Sequence, residues 1–181
     1  FMDMVCALLF LTLLIKPLRD RSKLLFVMFC SLDRPEDRPL TLVWLYTQFI
    51  ASYLVLIPLL VYFESHDMLP LLMIIIIANG VGDGLAEPLG IRFGKRKYTT
   101  YALFTKEKYV RSYVGSACVF VTTFFAILAF QQYFNSTQLI VALITIPILI
   151  TLAEAFSPHT WDSPLIYAVG GVSMMSIVIF L

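Results

Sequence analysis

Two carboxylates close a long apolar run. Asp83 and Glu87 end the stretch M-L-P-L-L-M-I-I-I-I-A-N-G-V-G-D-G-L-A-E, residues 68–87. An ionisable group at membrane depth costs ~3 kcal/mol to insert, so it commonly marks a site. Asn79, Asp83 and Glu87 are spaced by four, which on an α-helix places them on one face. Gly80, Gly82 and Gly84 alternate through the same segment, and G-I-R-F-G-K-R-K-Y follows at 90–98. Carboxylates hold hard cations. Clustered cations such as Arg92, Lys95, Arg96 and Lys97 neutralise phosphate, and glycines such as Gly90 and Gly94 let a backbone approach it. The pattern points to metal–phosphate chemistry at a membrane surface. The plainer alternatives are close helix packing for the glycines and attraction to anionic lipid for the cations.

Two later segments could join this chemistry. R-S-Y-V-G-S, residues 111–116, opens another apolar run. Arg111 could face a phosphate, with Ser112, Gly115 and Ser116 beside it, or the small residues could serve packing alone. Glu154, His159 and Asp162 cluster at 154–162 without the spacing of a zinc site. Trp161 reads as an interfacial anchor.

The elements that must position these residues are membrane spans. The chain is 60% hydrophobic and 14% charged, with mean hydropathy +0.87, which excludes both an ordinary soluble domain and a disordered one. Nothing in it reads as a nucleic-acid-binding surface. All thirteen Lys and Arg fall at 16–38 and 92–111, so the charges are segregated into loops between apolar runs. We expect an all-α polytopic transmembrane helical bundle of about six spans: 1–15, 40–63, 68–87, 112–131, 138–156 and 164–181. We expect a single integral membrane domain over 1–181, with a first span truncated at the N-terminus. Residues 24–32 are too short to cross and read as interfacial or re-entrant. Cys6, Cys30 and Cys118 have no paired spacing and read as small apolar residues. By the positive-inside rule both basic windows face a cytosol-like side, and 64–67 and 131–138 face the other. The 157–164 loop then shares the side of Asp83, Glu87 and the basic stretch. The compartment stays open among bacterial inner membrane, endoplasmic reticulum and organelle membrane.

Over roughly 75–170 these pieces resemble the CTP-dependent lipid kinases (dolichol kinase, phytol kinase and yeast-type diacylglycerol kinase), a group related to the phosphatidate cytidylyltransferases. Gly82-Asp83 matches the family's G-D at a span end, Gly90 its following glycine, and Phe93-Gly94-Lys95-Arg96-Lys97 its basic turn. Arg111-Ser112 and Gly115-Ser116 match most of its K-S-x-E-G-S motif, and Glu154 and Asp162 its later acidic positions. Glu87 is extra to the common form. Val114 stands where the family usually has Glu, and Ser163 where it usually has Asn. The resemblance implies phosphorylation of a lipid alcohol with CTP as donor and Mg²⁺ as cofactor. Asp83 and Glu87 would hold the metal, with Asp83, Glu87 or Asp162 as catalytic carboxylate. Asn79, Gly82, Gly84, Gly90, Arg92, Gly94, Lys95, Arg96, Lys97, Arg111, Ser112, Gly115 and Ser116 would bind the nucleotide phosphates. The implied partners are the bilayer, the lipid alcohol and the nucleotide. CDP-lipid synthesis is a second expectation. A non-catalytic subunit of a larger membrane assembly is a third, motivated by Val114, Ser163 and the truncated first span. Intramembrane carboxylates also occur in transporters, but no inverted repeat is evident.

Overall fold

The structure, a computed structural model, describes residues 2–33, 37–101, 108–158 and 161–181. These residues fall into two compact units, 1–53 and 54–181.

In the first unit, α1 (Met2–Leu13), α2 (Lys16–Arg19) and α3 (Lys23–Leu32) precede the start of α4 (Thr41–Ser65). The ten residues of α3 span only ~15 Å at 1.5 Å per residue. That is half a bilayer core, as the shortness of the 24–32 run requires. The Thr12 hydroxyl meets the Tyr46 hydroxyl at 2.8 Å. Asp33 accepts from Thr41 Oγ1 at 2.6 Å and pairs with Arg38 at 2.8 Å.

The second unit holds the rest of α4 and the elements that follow it. After α4 the chain reverses through Asp67, whose φ of 56° is left-handed, and the Met68 amide donates to the Phe63 carbonyl at 2.8 Å. Aspartate is among the few residues that adopt this conformation readily. Next comes α5 (Leu69–Ile77), a π-helical segment (Ala78–Asp83) and α6 (Gly84–Phe93), one unbroken helix of 25 residues. At ~37 Å it is longer than a ~30 Å hydrocarbon core, long enough for its charged end to reach an interface. The glycine-rich stretch is therefore helical throughout. The span expected to stop at 87 continues six residues further, through Pro88, which lies inside α6.

Strands β1 (Lys97–Tyr101) and β2 (Lys108–Ser112) pair antiparallel, Tyr98 opposite Arg111 and Thr100 opposite Tyr109. The basic stretch expected as a loop in an all-α bundle is thus a helix end followed by a two-stranded hairpin. Its K-Y-T-T-Y and K-Y-V-R-S strands are rich in aromatic and β-branched residues, which favour the pleated conformation. Ser112 then caps α7 (Tyr113–Ala129), its hydroxyl accepting from the Gly115 amide at 3.0 Å. The start of α8 (Ser136–Phe156) carries a reciprocal cap. Asn135 Oδ1 accepts from the Gln138 amide at 2.8 Å, and Gln138 Oε1 from the Asn135 amide at 3.0 Å. Helix α9 (Asp162–Phe180) completes the unit.

Phe63, Leu71, Ile75, Val119, Ile127, Ile146, Ile150, Ile166 and Met174 are buried together as its core. Gly170 lets α9 lie against α5 and α8: a Cβ there would stand 2.9 Å from Ile75 Cγ2 and 3.0 Å from Ile150 Cδ1. Small residues at such crossings are how membrane helices gain close packing. The outer faces expose Val121, Phe125, Ile140, Ile144 and Val172, apolar side chains suited to lipid. Among the described residues, four helices are long and apolar enough to cross a bilayer: 41–65, 69–93, 136–156 and 162–180. Helix α7, at 17 residues, and α1, at 12, fall below that length. The four long helices are compatible with an integral membrane protein.

Candidate functional site

The second unit gathers the chemistry-bearing segments at one end. Asp83 is half-buried where the π-helical segment meets α6, and Glu87 is exposed one turn on. The π-helical winding displaces the regular four-residue stacking expected of Asn79, Asp83 and Glu87. Such segments recur at functional sites. Asn79 Nδ2 donates to the Tyr167 hydroxyl at 3.0 Å, while its buried Oδ1 has no partner. This bond ties the π-helical segment to α9, whose first turn carries Asp162. The Asp162 carboxylate accepts from the Ser163 amide at 3.0 Å.

The glycines divide by role. Gly82 is buried, and a Cβ there would lie 3.3 Å from Val119 Cα, so it brings the π-helical segment onto α7. A Cβ on Gly90 would collide with the Ser112 hydroxyl, and one on Gly115 would come within 2.9 Å of the Ala86 carbonyl oxygen. These two seat α6 against the start of α7. A Cβ on Gly94 would collide with the Gly90 carbonyl. Gly80 and Gly84 have open space around them. Chain-to-chain contact occupies the side-chain side of Gly82, Gly90 and Gly115.

The cations also divide. Arg92, Lys95, Arg96 and Lys97 are exposed, Arg92 lying 5.4 Å from the centroid of the Phe93 ring. Arg111 turns inward. Its Nη1 stands 3.0 Å from Oε1 of Glu154, which is only 3% exposed, and its Nη2 donates to Ser157 Oγ at 3.2 Å. Ser157 Oγ in turn donates to the Glu154 carbonyl at 2.8 Å. Glu154 Oε2 has Ser116 Oγ at 3.5 Å, and Ser116 bonds the Tyr98 hydroxyl. Thr100 Oγ1 donates to the Ala155 carbonyl at 2.9 Å. Tyr98, Thr100 and Arg111 lie on one face of the hairpin, as alternation along a strand demands. Lys97, Thr99 and Val110 lie on the other and are exposed. The hairpin is therefore docked, by its polar face, on the last turn of α8 and the first of α7. Removing one partner of so enclosed an ion pair would strand a buried charge, at a cost of ~3–5 kcal/mol. Burial, above all, and then the Glu154 charge push the Tyr98 phenol above its usual pKa, against the bond with Ser116.

Sequence reasoning placed Arg111, Ser112, Gly115 and Ser116 in this region, with Glu154 as an acidic span end. It missed Tyr98, Thr100, Ser157 and Tyr167. One signal could have found the ion pair. Glu154 is the first charge after Arg111, across 42 uncharged residues, and a carboxylate entering a span needs a partner. Val114, in the first turn of α7, supplies no oxygen. His159 lies outside the described residues. Among the described residues no three His, Cys, Asp or Glu side chains close on one point. Mg²⁺ needs fewer, since it is commonly held by one or two carboxylates with substrate phosphates and water. Asp83 and Glu87, four residues apart where the π-helical segment meets α6, are carboxylates of the type that such a set uses.

Comparison with known protein families, with curated proteins and with solved structures finds no match.

Proposed function

We propose that this chain phosphorylates a membrane lipid alcohol, of polyprenol, phytol or diacylglycerol type, with CTP as donor. One observation carries the reading. The π-helical segment with Asp83, the Gly90–Ser112 crossing, the cation-bearing hairpin and the Glu154 and Asp162 span ends meet at one end of a helical unit built for lipid. Phosphoryl transfer asks mainly for positioning and charge neutralisation. Arg92, Lys95, Arg96, Lys97 and Arg111 neutralise the nucleotide phosphates. Asp83 and Glu87 would hold Mg²⁺, which would supply orientation and charge neutralisation to those phosphates. The lipid hydroxyl enters sideways between helices, and its oxygen bonds the γ-phosphorus. The bond from that phosphorus to the β–γ bridging oxygen breaks, CDP leaves, and Asp83, Glu87 or Asp162 takes the hydroxyl proton. Six of the apolar helices among the described residues cross the bilayer, α1 and α7 as the short members, and α3 lies at its interface.

The test uses purified protein in lipid with CTP labelled at the γ- or the α-phosphate, a panel of lipid alcohols and, in parallel, phosphatidate. Label passing from the γ-position to the lipid is expected. Label passing from the α-position to phosphatidate would replace the kinase with CDP-lipid synthesis.

The arrangement of Arg111 favours a second reading, a non-catalytic subunit. That cation is engaged by Glu154, and Val114 offers no carboxylate. Val114→Glu and Glu87→Gln, assayed beside the wild type, separate the two. An active wild type damaged by Glu87→Gln supports catalysis with Glu87 in the missing role. Silence from all three folded proteins defeats it.

A further inference from the structure

Arg111 has more hydrogen-bonding capacity than its neighbours use. Its Nη1 is taken by Glu154 and its Nη2 by Ser157, yet its Nε is buried and has no acceptor. A guanidinium N–H left so is costly unless something accepts it, and a buried unsatisfied group asks for an explanation. The carboxylate that fixes it sits at the end of α8 and is 3% exposed, whereas the arginine side chain is 23% exposed. The fork is thus anchored inward, and part of the arginine side chain reaches accessible surface. Arg96 and Lys97, both exposed, belong to the same hairpin. The Arg96 carbonyl accepts from the Tyr113 amide at 3.3 Å, and Lys97 is paired with Ser112 in the strand register.

We propose that Glu154 is a positioning residue: with Ser157 it holds the Arg111 guanidinium, whose Nη groups each keep a second hydrogen, to receive an anionic oxygen of a phosphate group. A planar fork fixed at two nitrogens is preorganised to recognise such oxygens, which a lysine ammonium is not. The oxygen belongs either to a soluble nucleotide or pyrophosphate, or to a phospholipid headgroup. The anion site rests on the Arg111 geometry alone. Its assignment to CTP rests on the proposed function.

The test measures binding of pyrophosphate and of CTP to wild type, Arg111→Lys, Glu154→Met and Ser157→Ala in phosphatidylcholine nanodiscs, with and without phosphatidate. Glu154→Met carries a decisive sign. If Glu154 acted only by its charge, its removal would tighten anion binding. As a positioning residue its loss weakens binding, by about tenfold, the usual lower scale for a group that orients a ligating one. Ser157→Ala changes no charge, should weaken binding in the same direction, and decides alone if Glu154→Met does not fold. Arg111→Lys keeps the charge and should also lose about tenfold. Unchanged or tighter binding in folded Ser157→Ala or Glu154→Met overturns the proposal, as does a wild type that binds neither soluble probe nor phosphatidate. Phosphatidate binding without pyrophosphate or CTP binding assigns the site to a lipid headgroup. Pyrophosphate binding without CTP turnover keeps the anion site and defeats the kinase.

Discussion

Asp83 is the residue on which the proposed chemistry depends most. Asn79 is bonded to Tyr167, and Glu87 stands exposed. Asp83→Asn preserves shape and removes charge, so the bundle should fold while lipid phosphorylation falls at least ~10²-fold, the scale for losing an electrostatic catalytic contact. Wild-type turnover in that variant would make Asp83 structural. Tyr98 gives a test needing no substrate. Its phenol is pushed above the ordinary value near 10, chiefly by burial. The unfolded chain therefore ionises this group first. The stability it contributes is fully present below about pH 10 and is lost as pH rises from there through the folded value. Tyrosinate absorbance should develop later at Tyr98 than in the unfolded chain, and Tyr98→Phe should remove that late component. An unchanged titration curve would contradict the burial of this ring.

At the scale of elements, the contact between α6 and α7 is set by glycines that look alike in sequence and differ in surroundings. Gly115→Ala places a methyl against the Ala86 carbonyl, which is backbone and cannot rotate away. It should destabilise by ~1–3 kcal/mol, the range for overpacking. Gly84→Ala meets nothing within 4 Å and lies in a helix, so it should be neutral or stabilise by ~0.5–1 kcal/mol. Thermal unfolding in detergent measures both, and equal shifts would contradict the packing described. The apolar runs announced these helices to within a few residues at most ends, because burial in lipid needs continuous hydrophobicity. The far end of the 69–93 helix was not legible, since the apolar run stops at Glu87 while the helix runs on through Pro88 to Phe93. Nor was the hairpin, because two five-residue strands with lysines at their ends read as a charged loop. The docking of Tyr98, Thr100 and Arg111 comes from partners 18 to 55 residues away, which no local pattern encodes.

For the molecule as a whole, charge segregation put Asp83, the basic stretch and the 157–164 loop on one side. The Arg111–Glu154 pair and the Thr100–Ala155 bond place the hairpin and the end of α8 together. The Asn135 side chain reaches the Leu181 carbonyl at 3.4 Å at the opposite end. Thr99→Cys and Thr137→Cys, both at exposed positions, should therefore react with an impermeant thiol reagent from opposite faces of a sealed vesicle. Reaction from the same face would contradict the shared end and the site assembled there.

The winding of Ala78–Asp83 carries a consequence for chain length. A π-helical stretch accommodates a residue that regular α-helix would not, and an α-helix turns ~100° per residue. Gly80 lies in that stretch with open space around it. Deleting Gly80 would remove that spare residue and let the segment relax to regular winding, with the helix on either side keeping its phase. Gly90 would stay against Ser112. The spare residue thus acts as slack taken up locally, between a half fixed in the apolar core and a half that carries the charges. Its deletion should leave thermal unfolding in detergent nearly unchanged and alter the lie of Asn79 and Asp83 alone.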